Sequence, residues 1–222
     1  MEYIHNTEQF QFHNTVVALG KFDGMHKGHQ LIFDELIQYK QLGYQAAVFS
    51  FDRPPLNMLK HKHMRVIYTT NEKIKLLARR GIDIYIEHPF TDEFSHLSPE
   101  DFVIKVLLEK TGMKVLVVGD DCGFGYKRQG NVELLERMSK EYDFKLIVIP
   151  KLELEGEIVS STRIRHLLSE GKVEEANRLM EDPFMICGSV VHGNHMGAEV
   201  LQMPTANQIP LEDKLLPPNG VY

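Results

Sequence analysis

Two short stretches carry side chains whose types and spacing suit phosphate chemistry. The first is Gly20-Lys21-Phe22-Asp23-Gly24-Met25-His26-Lys27-Gly28-His29. Its glycines let the backbone turn tightly and approach a ligand closely. A helical pattern opens at Gln30, so unpaired N–H groups and positive dipole charge face an anion. His26 and His29 stand three apart across Gly28, which lets both rings meet one phosphate group. Lys27 either adds charge or points to solvent, and Asp23 reads as a loop organiser rather than a base. The second stretch is Val159-Ser160-Ser161-Thr162-Arg163-Ile164-Arg165. Its hydroxyls can cap a helix. With Arg163 and Arg165 they can also hold a polyphosphate through bidentate, charge-assisted bonds. A nucleoside triphosphate suits these features better than a neutral ligand, the plainer alternative being a solvated histidine pair and surface arginines.

The elements that must position these residues alternate along the chain. Strands are expected at Thr15–Gly20, Gln45–Phe51, Ile82–Glu87, Lys114–Val118 and Lys145–Ile149, each short and apolar through its centre, as in parallel sheets covered on both faces. Helices are expected between them, at Gln30–Leu42, Asn71–Arg80, Pro99–Thr111 and Asn131–Tyr142. Thr69-Thr70-Asn71-Glu72 reads as a capping box. Ser98-Pro99-Glu100-Asp101 places a cap, a first-turn proline and two acids at a helix start. Such alternation implies an α/β domain with a parallel sheet and right-handed crossovers, whose ligands bind beyond the carboxyl ends of the strands. Two short helices, Ser160–Ser169 and Val173–Met180, follow. From Phe184 the chain turns strand-like and rich in turns, with Met185–Val191 as the first strand candidate.

Composition narrows the function classes. The chain has 222 residues, 43% hydrophobic and 25% charged, with a net charge of −6. That is ordinary for a globular protein and excludes disorder as its main state. Mild acidity argues against a broad nucleic-acid face, leaving room for a local basic pocket. Apolar runs such as Val115–Val118 fall well short of the about 20 residues a membrane helix needs. The N-terminus lacks the pattern of a secretory signal. Cys122 and Cys187 show no paired spacing, which suits a reducing cytoplasm and speaks against a disulfide or zinc site.

The first stretch matches the His-x-Gly-His signature of the nucleotidylyltransferase superfamily, and the second resembles that superfamily's Ser-Ser-Thr-x-Ile-Arg motif. Three more stretches extend the likeness. Phe51-Asp52-Arg53-Pro54-Pro55 resembles a Phe-Asp-Pro-His-Pro loop. Val118-Gly119-Asp120-Asp121-Cys122-Gly123-Phe124-Gly125 resembles Val-Gly-x-Asp-Phe-x-Phe-Gly. The third runs from Phe90-Thr91-Asp92-Glu93-Phe94 to Leu97-Ser98-Pro99-Glu100-Asp101-Phe102. In this order over nearly the whole chain, they resemble the prokaryotic FAD synthetase family, which joins an FMN adenylyltransferase module to a riboflavin kinase module. The resemblance implies a Rossmann-like, doubly wound parallel sheet of nucleotidylyltransferase type over residues 1–183, followed by a partial all-β segment over 184–222. Those last about 39 residues are too few for a stand-alone barrel. Lys21 stands where the family commonly has Asn, Cys122 where it has Phe, and Pro54 where it has His. These departures touch flavin contact rather than any phosphate-binding side chain.

The resemblance also implies roles. His26, His29 and Arg165 are the expected catalytic side chains. Gly20, Phe22, Asp23, Gly24, Gly28, Ser160, Ser161, Thr162 and Arg163 are expected around ATP. Pro54, Pro55, Asp121, Phe124 and Gly125 are expected on the flavin side. Phe124 is equally readable as core, and Asp121 as a flavin acceptor, a metal ligand or a turn former. Met203-Pro204-Thr205-Ala206-Asn207 resembles the kinase motif Phe-Pro-Thr-Ala-Asn, so Thr205 and Asn207 mark a vestigial kinase ATP site. The family's preceding Gly-Arg-x-Leu-Gly reads Ala198-Glu199-Val200-Leu201-Gln202 here, and an acid near ATP phosphates is unfavourable. The implied activity is transfer of AMP from ATP to FMN, giving FAD and pyrophosphate, with Mg²⁺ on the phosphates, in the cytoplasm, and with neither a nucleic-acid nor a membrane partner. Riboflavin kinase activity is not expected. The alternatives are a nucleotidylyltransferase with another phosphorylated acceptor and a non-catalytic flavin- or nucleotide-binding relative.

Overall fold

The computed structural model describes residues 1–52, 65–192 and 206–222. Six parallel strands form one sheet in the order β1-β4-β3-β2-β5-β6. They are β1 (Glu2–His5), β2 (Thr15–Leu19), β3 (Gln45–Phe51), β4 (Ile84–His88), β5 (Met113–Gly119) and β6 (Lys145–Ile149). Every residue of β2 is buried, and side-chain alternation divides it between two cores. Val16 and Ala18 enter one apolar cluster, Val17 and Leu19 the other, as the two-residue period of a strand dictates.

The first cluster is covered by α1 (Lys27–Gln41), α2 (Thr70–Arg80), α5 (Ser161–Ser169) and α6 (Val173–Leu179). The second is covered by α3 (Pro99–Asp101), which runs on as a π-helical stretch over Phe102–Leu108, and by α4 (Val132–Glu141). From β2 the chain steps outward through β3 to β4, then returns to β5 on the other side of β2. The loops after β2 and β5 therefore flank the point where the winding reverses, the usual ligand crevice of such sheets.

The expected local signals are present. Thr69 and Glu72 form a reciprocal capping box at α2, and Ser98 caps α3 with Pro99 in its first turn. Four features differ from the sequence reading. β1 is an unanticipated half-buried edge strand pairing with β4. The helix expected over Pro99–Thr111 changes to π winding at Phe102, with Glu109 N–H donating to Ile104 O at 3.0 Å. This winding buries Phe102, Val103, Val106 and Leu107. α1 starts at Lys27, not Gln30, because the His26 side chain serves as its cap. The strand expected over Met185–Val191 is confined to β9 (Gly188–Val191), antiparallel to β10 (Asn207–Pro210). A further short hairpin, β7 (Glu153–Leu154) with β8 (Glu157–Ile158), precedes α5.

The last residues return to the first core cluster. Phe184, Met185 and Leu215 pack against the first core cluster, and Val66 forms a parallel bridge with Lys214.

Candidate active site

The loop after β2 is shaped by backbone that most residues resist. Phe22 and Met25 have φ of 48° and 38°, and Gly24 has φ of 87°. A side chain at Gly24 would be strained in that left-handed conformation, and its Cβ would stand 3.0 Å from Ile67 Cδ1. At Gly28 a Cβ would lie 3.2 Å from His26 Nδ1, so a larger residue there would press on the His26 ring over the first turn of α1. Gly20 makes space for the Phe22 ring. Phe22 is itself buried, 5.0 Å from Phe33 and edge-on to His29 at 5.1 Å. Its ring thus packs against His29 and Phe33.

His26 and His29 stack with ring centroids 3.6 Å apart. His26 Nδ1 accepts from the His29 backbone N–H at 3.3 Å, which leaves the ring proton of a neutral His26 on Nε2. The backbone of His26 also bridges Met180, just past α6. Burial pushes His26 down to about 4, opposed by the charge of Asp121. Burial, and then His26, hold His29 well below the usual histidine range. His29 Nδ1 is buried without a hydrogen-bond partner among the described residues. At neutral pH this is an uncharged imidazole pair at a helix N-terminus.

The second stretch meets the first through Asp23. Ser160 caps α5, its side chain accepting from Arg163 N–H at 3.2 Å. Ser161 Oγ donates to the Asp23 carbonyl. Arg165 donates to the Asp23 carboxylate and to the Arg65 carbonyl. Asp23 Oδ1 also accepts from Ile67 N–H at 2.9 Å and Tyr68 N–H at 3.3 Å. Thr162 is exposed on the first turn of α5. Arg163 Nη2 pairs with Glu157 at 2.6 Å, while its Nη1 is buried without a partner among the described residues. Two helix N-termini, capped by His26 and Ser160, are thus tied to one loop, and their N–H groups and dipoles favour an anion.

On the other side of the crevice, Asp121 is exposed and pairs with Lys151 at 3.3 Å. Phe124 is buried against Phe102, with centroids 5.8 Å apart. Gly125 has φ of 69° and lies against Pro99. Phe51, Phe90, Phe94 and Phe102 extend this aromatic cluster at the ends of β3 and β4. Pro54, Pro55 and Thr205 lie outside the described residues. Asn207 opens β10 and is exposed, far in sequence from any phosphate-binding side chain named above. Among the described residues, no group of three or more His, Cys, Asp or Glu side chains is arranged to hold a metal ion.

Sequence reasoning did not find Glu157, the Arg65 carbonyl or the amides of Ile67 and Tyr68. Each joins the site by a contact across the fold, and a carbonyl or amide has no signature in residue type.

Comparison with known proteins identifies the family. A family model for FAD synthetase matches residues 8–163, and one for riboflavin kinase matches residues 180–222. The chain is 39% identical over 222 residues to the bifunctional riboflavin kinase/FMN adenylyltransferase of Buchnera aphidicola subsp. Schizaphis graminum, covering 99% of this chain and 70% of that one. It is 36% identical to the protein so named in Listeria monocytogenes, again over 99% of this chain and 71% of the relative. A crystal structure described as a macrolide-efflux protein from Streptococcus pneumoniae superposes with a TM-score of 0.85 at 31% identity, covering 99% of this chain and 72% of that chain. Through these matches and a sheet of the same winding, the chain belongs to the FAD synthetase family of bifunctional riboflavin kinase/FMN adenylyltransferases, whose members are nucleotidyltransferases.

Proposed function

We propose that this chain transfers AMP from ATP to FMN, giving FAD and pyrophosphate. One observation carries the reading: the helix starts at His26 and Ser160 are joined at Asp23 beside the reversal point of the sheet. That junction supplies donors from two helix N-termini to one polyphosphate.

The FMN phosphate has a second pKa near 6, judged from phosphate monoesters. At neutral pH it is largely a dianion and needs no general base. One of its oxygens forms the new bond to the α-phosphorus, and the bond from that phosphorus to the β-bridging oxygen breaks, releasing pyrophosphate. No covalent enzyme intermediate is involved. Catalysis is then positioning and neutralisation of charge on the α-phosphate and leaving group. His26 and His29 take the phosphates nearest α1. Ser160, Ser161, Thr162 and Arg165 take the triphosphate tail, with Arg163 alongside. Asp23 organises the loop. Gly20, Gly24 and Gly28 keep the backbone close, and Asp121 and Gly125 border the flavin side. No protein residue is assigned to Mg²⁺, whose proposed place is on the ATP phosphates, where it would offset their charge.

Riboflavin kinase activity is not part of the proposal, although the relatives named above are bifunctional. That reading rests on Glu199, an acid where the family's kinases carry a base near the ATP phosphates; among the described residues of 184–222, β9 and β10 form an antiparallel ribbon. Val190 and Ile209 on that ribbon are 68% and 60% exposed. The division of the chain at residue 183 belongs to the same reading.

The test is to incubate the chain with FMN, ATP and Mg²⁺ and separate the flavins by chromatography, then repeat with riboflavin in place of FMN. FAD from the first mixture and no FMN from the second is the expected result. No FAD from the first would overturn the adenylyltransferase assignment, and FMN from the second would restore the kinase.

A further inference from the structure

Residues 65–68 lie between the nucleotide cradle and the last part of the chain, and are gripped from both sides. On the cradle side, Ile67 and Tyr68 N–H groups donate to Asp23, and the Arg65 carbonyl accepts from Arg165. On the far side, Val66 N–H donates to Asp213 O at 2.7 Å and Leu215 N–H donates to Val66 O at 2.7 Å. Lys214 Nζ donates to Ile67 O at 2.6 Å. Ile67 is therefore held at its N–H by Asp23 and at its carbonyl by Lys214.

Lys214 is a costly residue to place there. Its side chain has no exposure, nor has that of Glu72, its partner at 2.7 Å. Its remaining hydrogen bond goes to Met185 O at 2.6 Å. The rings of Phe184 and Tyr68 face the ammonium at 4.4 and 4.9 Å. Glu72 is in turn fixed by Thr69 N–H and Cys187 N–H. Burial lowers the pKa of Lys214, and Glu72 acts to restore it. A buried ion pair is a poor source of stability compared with apolar packing, and its best-attested use is to specify one arrangement over others. Here the specified element is the carbonyl of Ile67, one residue's width from the Asp23 carboxylate.

We propose that Lys214 is a positioning residue for ATP. It fixes Ile67, Ile67 and Tyr68 orient Asp23, and Asp23 sets where Arg165 and the start of α5 meet the triphosphate. The proposal rests on the adenylyl-transfer reading and goes beyond it. A residue of the segment matched by the riboflavin kinase model serves the nucleotide site of the other module.

The test measures ATP affinity by calorimetry with Mg²⁺ present, using the full chain well below its melting temperature. Lys214→Met keeps the length and loses the ammonium, and should weaken ATP about tenfold, the scale of one lost charged hydrogen bond. Lys214→Arg should recover part of that loss. Lys75→Ala, at an exposed contact with Cys187 in the same C-terminal segment, should leave the affinity unchanged. Lys214→Met with a lowered melting temperature and wild-type ATP affinity would reduce Lys214 to a structural tie and overturn the proposal. If that variant does not fold, amide exchange in the unaltered chain decides. Adding ATP and Mg²⁺ should slow exchange at Leu215 and Cys187, and no change there would refute the coupling. Failure of the adenylyltransferase reading looks different: the unaltered chain would make no FAD, whatever its ATP affinity.

Discussion

The histidine half and the arginine half of the proposed cradle differ in how they are prepared for an anion. His26 and His29 are buried, stacked and uncharged, and one ring nitrogen of His29 has no partner among the described residues. Arg165 and Arg163 arrive charged, each already on an acid, Asp23 or Glu157. On the proposed reading, a triphosphate entering the first half would meet uncharged rings and favour their protonation. Entering the second, it must share or displace a carboxylate. The first half suits charge that develops during reaction, because desolvated donors act strongly there without reorganising. The second suits binding, since it trades one ionic contact for another.

Removing a ring tests this division most severely. His29→Ala should lower kcat by about 100-fold to 1,000-fold, the range for loss of one preorganised donor, while leaving KM for ATP nearly unchanged. The fold should survive, and near-wild-type turnover would remove His29 from the role. Arg165→Ala should show the opposite pattern, raising KM for ATP roughly tenfold or more with a smaller change in kcat. If the two variants affected kcat and KM alike, the two halves would be one functional unit and the comparison would fail.

Protons give the next largest effect. The folded-state pKa of His26, about 4, lies below the usual 6.5, so between these values the unfolded chain binds more protons than the folded one. Stability contributed at neutral pH is therefore lost as the pH falls from about 6.5 to 4, by on the order of 3 kcal/mol for a shift of this size. His26→Asn retains a cap for α1 and should flatten this dependence in urea midpoints measured at pH 7 and 4.5. An unchanged slope would place the acid sensitivity elsewhere. ATP binding should also take up protons, and binding heats in buffers of different ionisation enthalpy read that uptake.

The strands that became the sheet centre were legible because they are continuously apolar, and the capping box at Thr69 because both of its partners are local. Both motifs were legible as chemistry, yet their meeting at Asp23 was not, since Arg165 lies 142 residues further along the chain. The start of α1 was misplaced because histidine is not among the preferred cap residues, and Gly28 weakens a helical pattern. Phe22 and Phe124 have the right type and position for ligand contact, but local spacing does not say which way a ring turns, and both turn inward. β1 escaped notice because an edge strand with two half-buried residues has almost no pattern.

Glu157 offers the smallest and sharpest probe of the arginine half. Its side chain is 65% exposed where it meets Arg163, and an exposed pair contributes well under about 1 kcal/mol. Glu157→Gln removes a negative charge beside the proposed triphosphate tail and leaves the amide able to bond Arg163. KM for ATP should fall about twofold at low ionic strength, and the difference should vanish in about 1 M salt, where screening shortens to roughly 3 Å. A rise in KM instead would mean that Glu157 orients Arg163 as Asp23 orients Arg165. The arginine half would then consist of two organised ion pairs, and its preparation for the anion would resemble that of the histidine half more than their charges suggest.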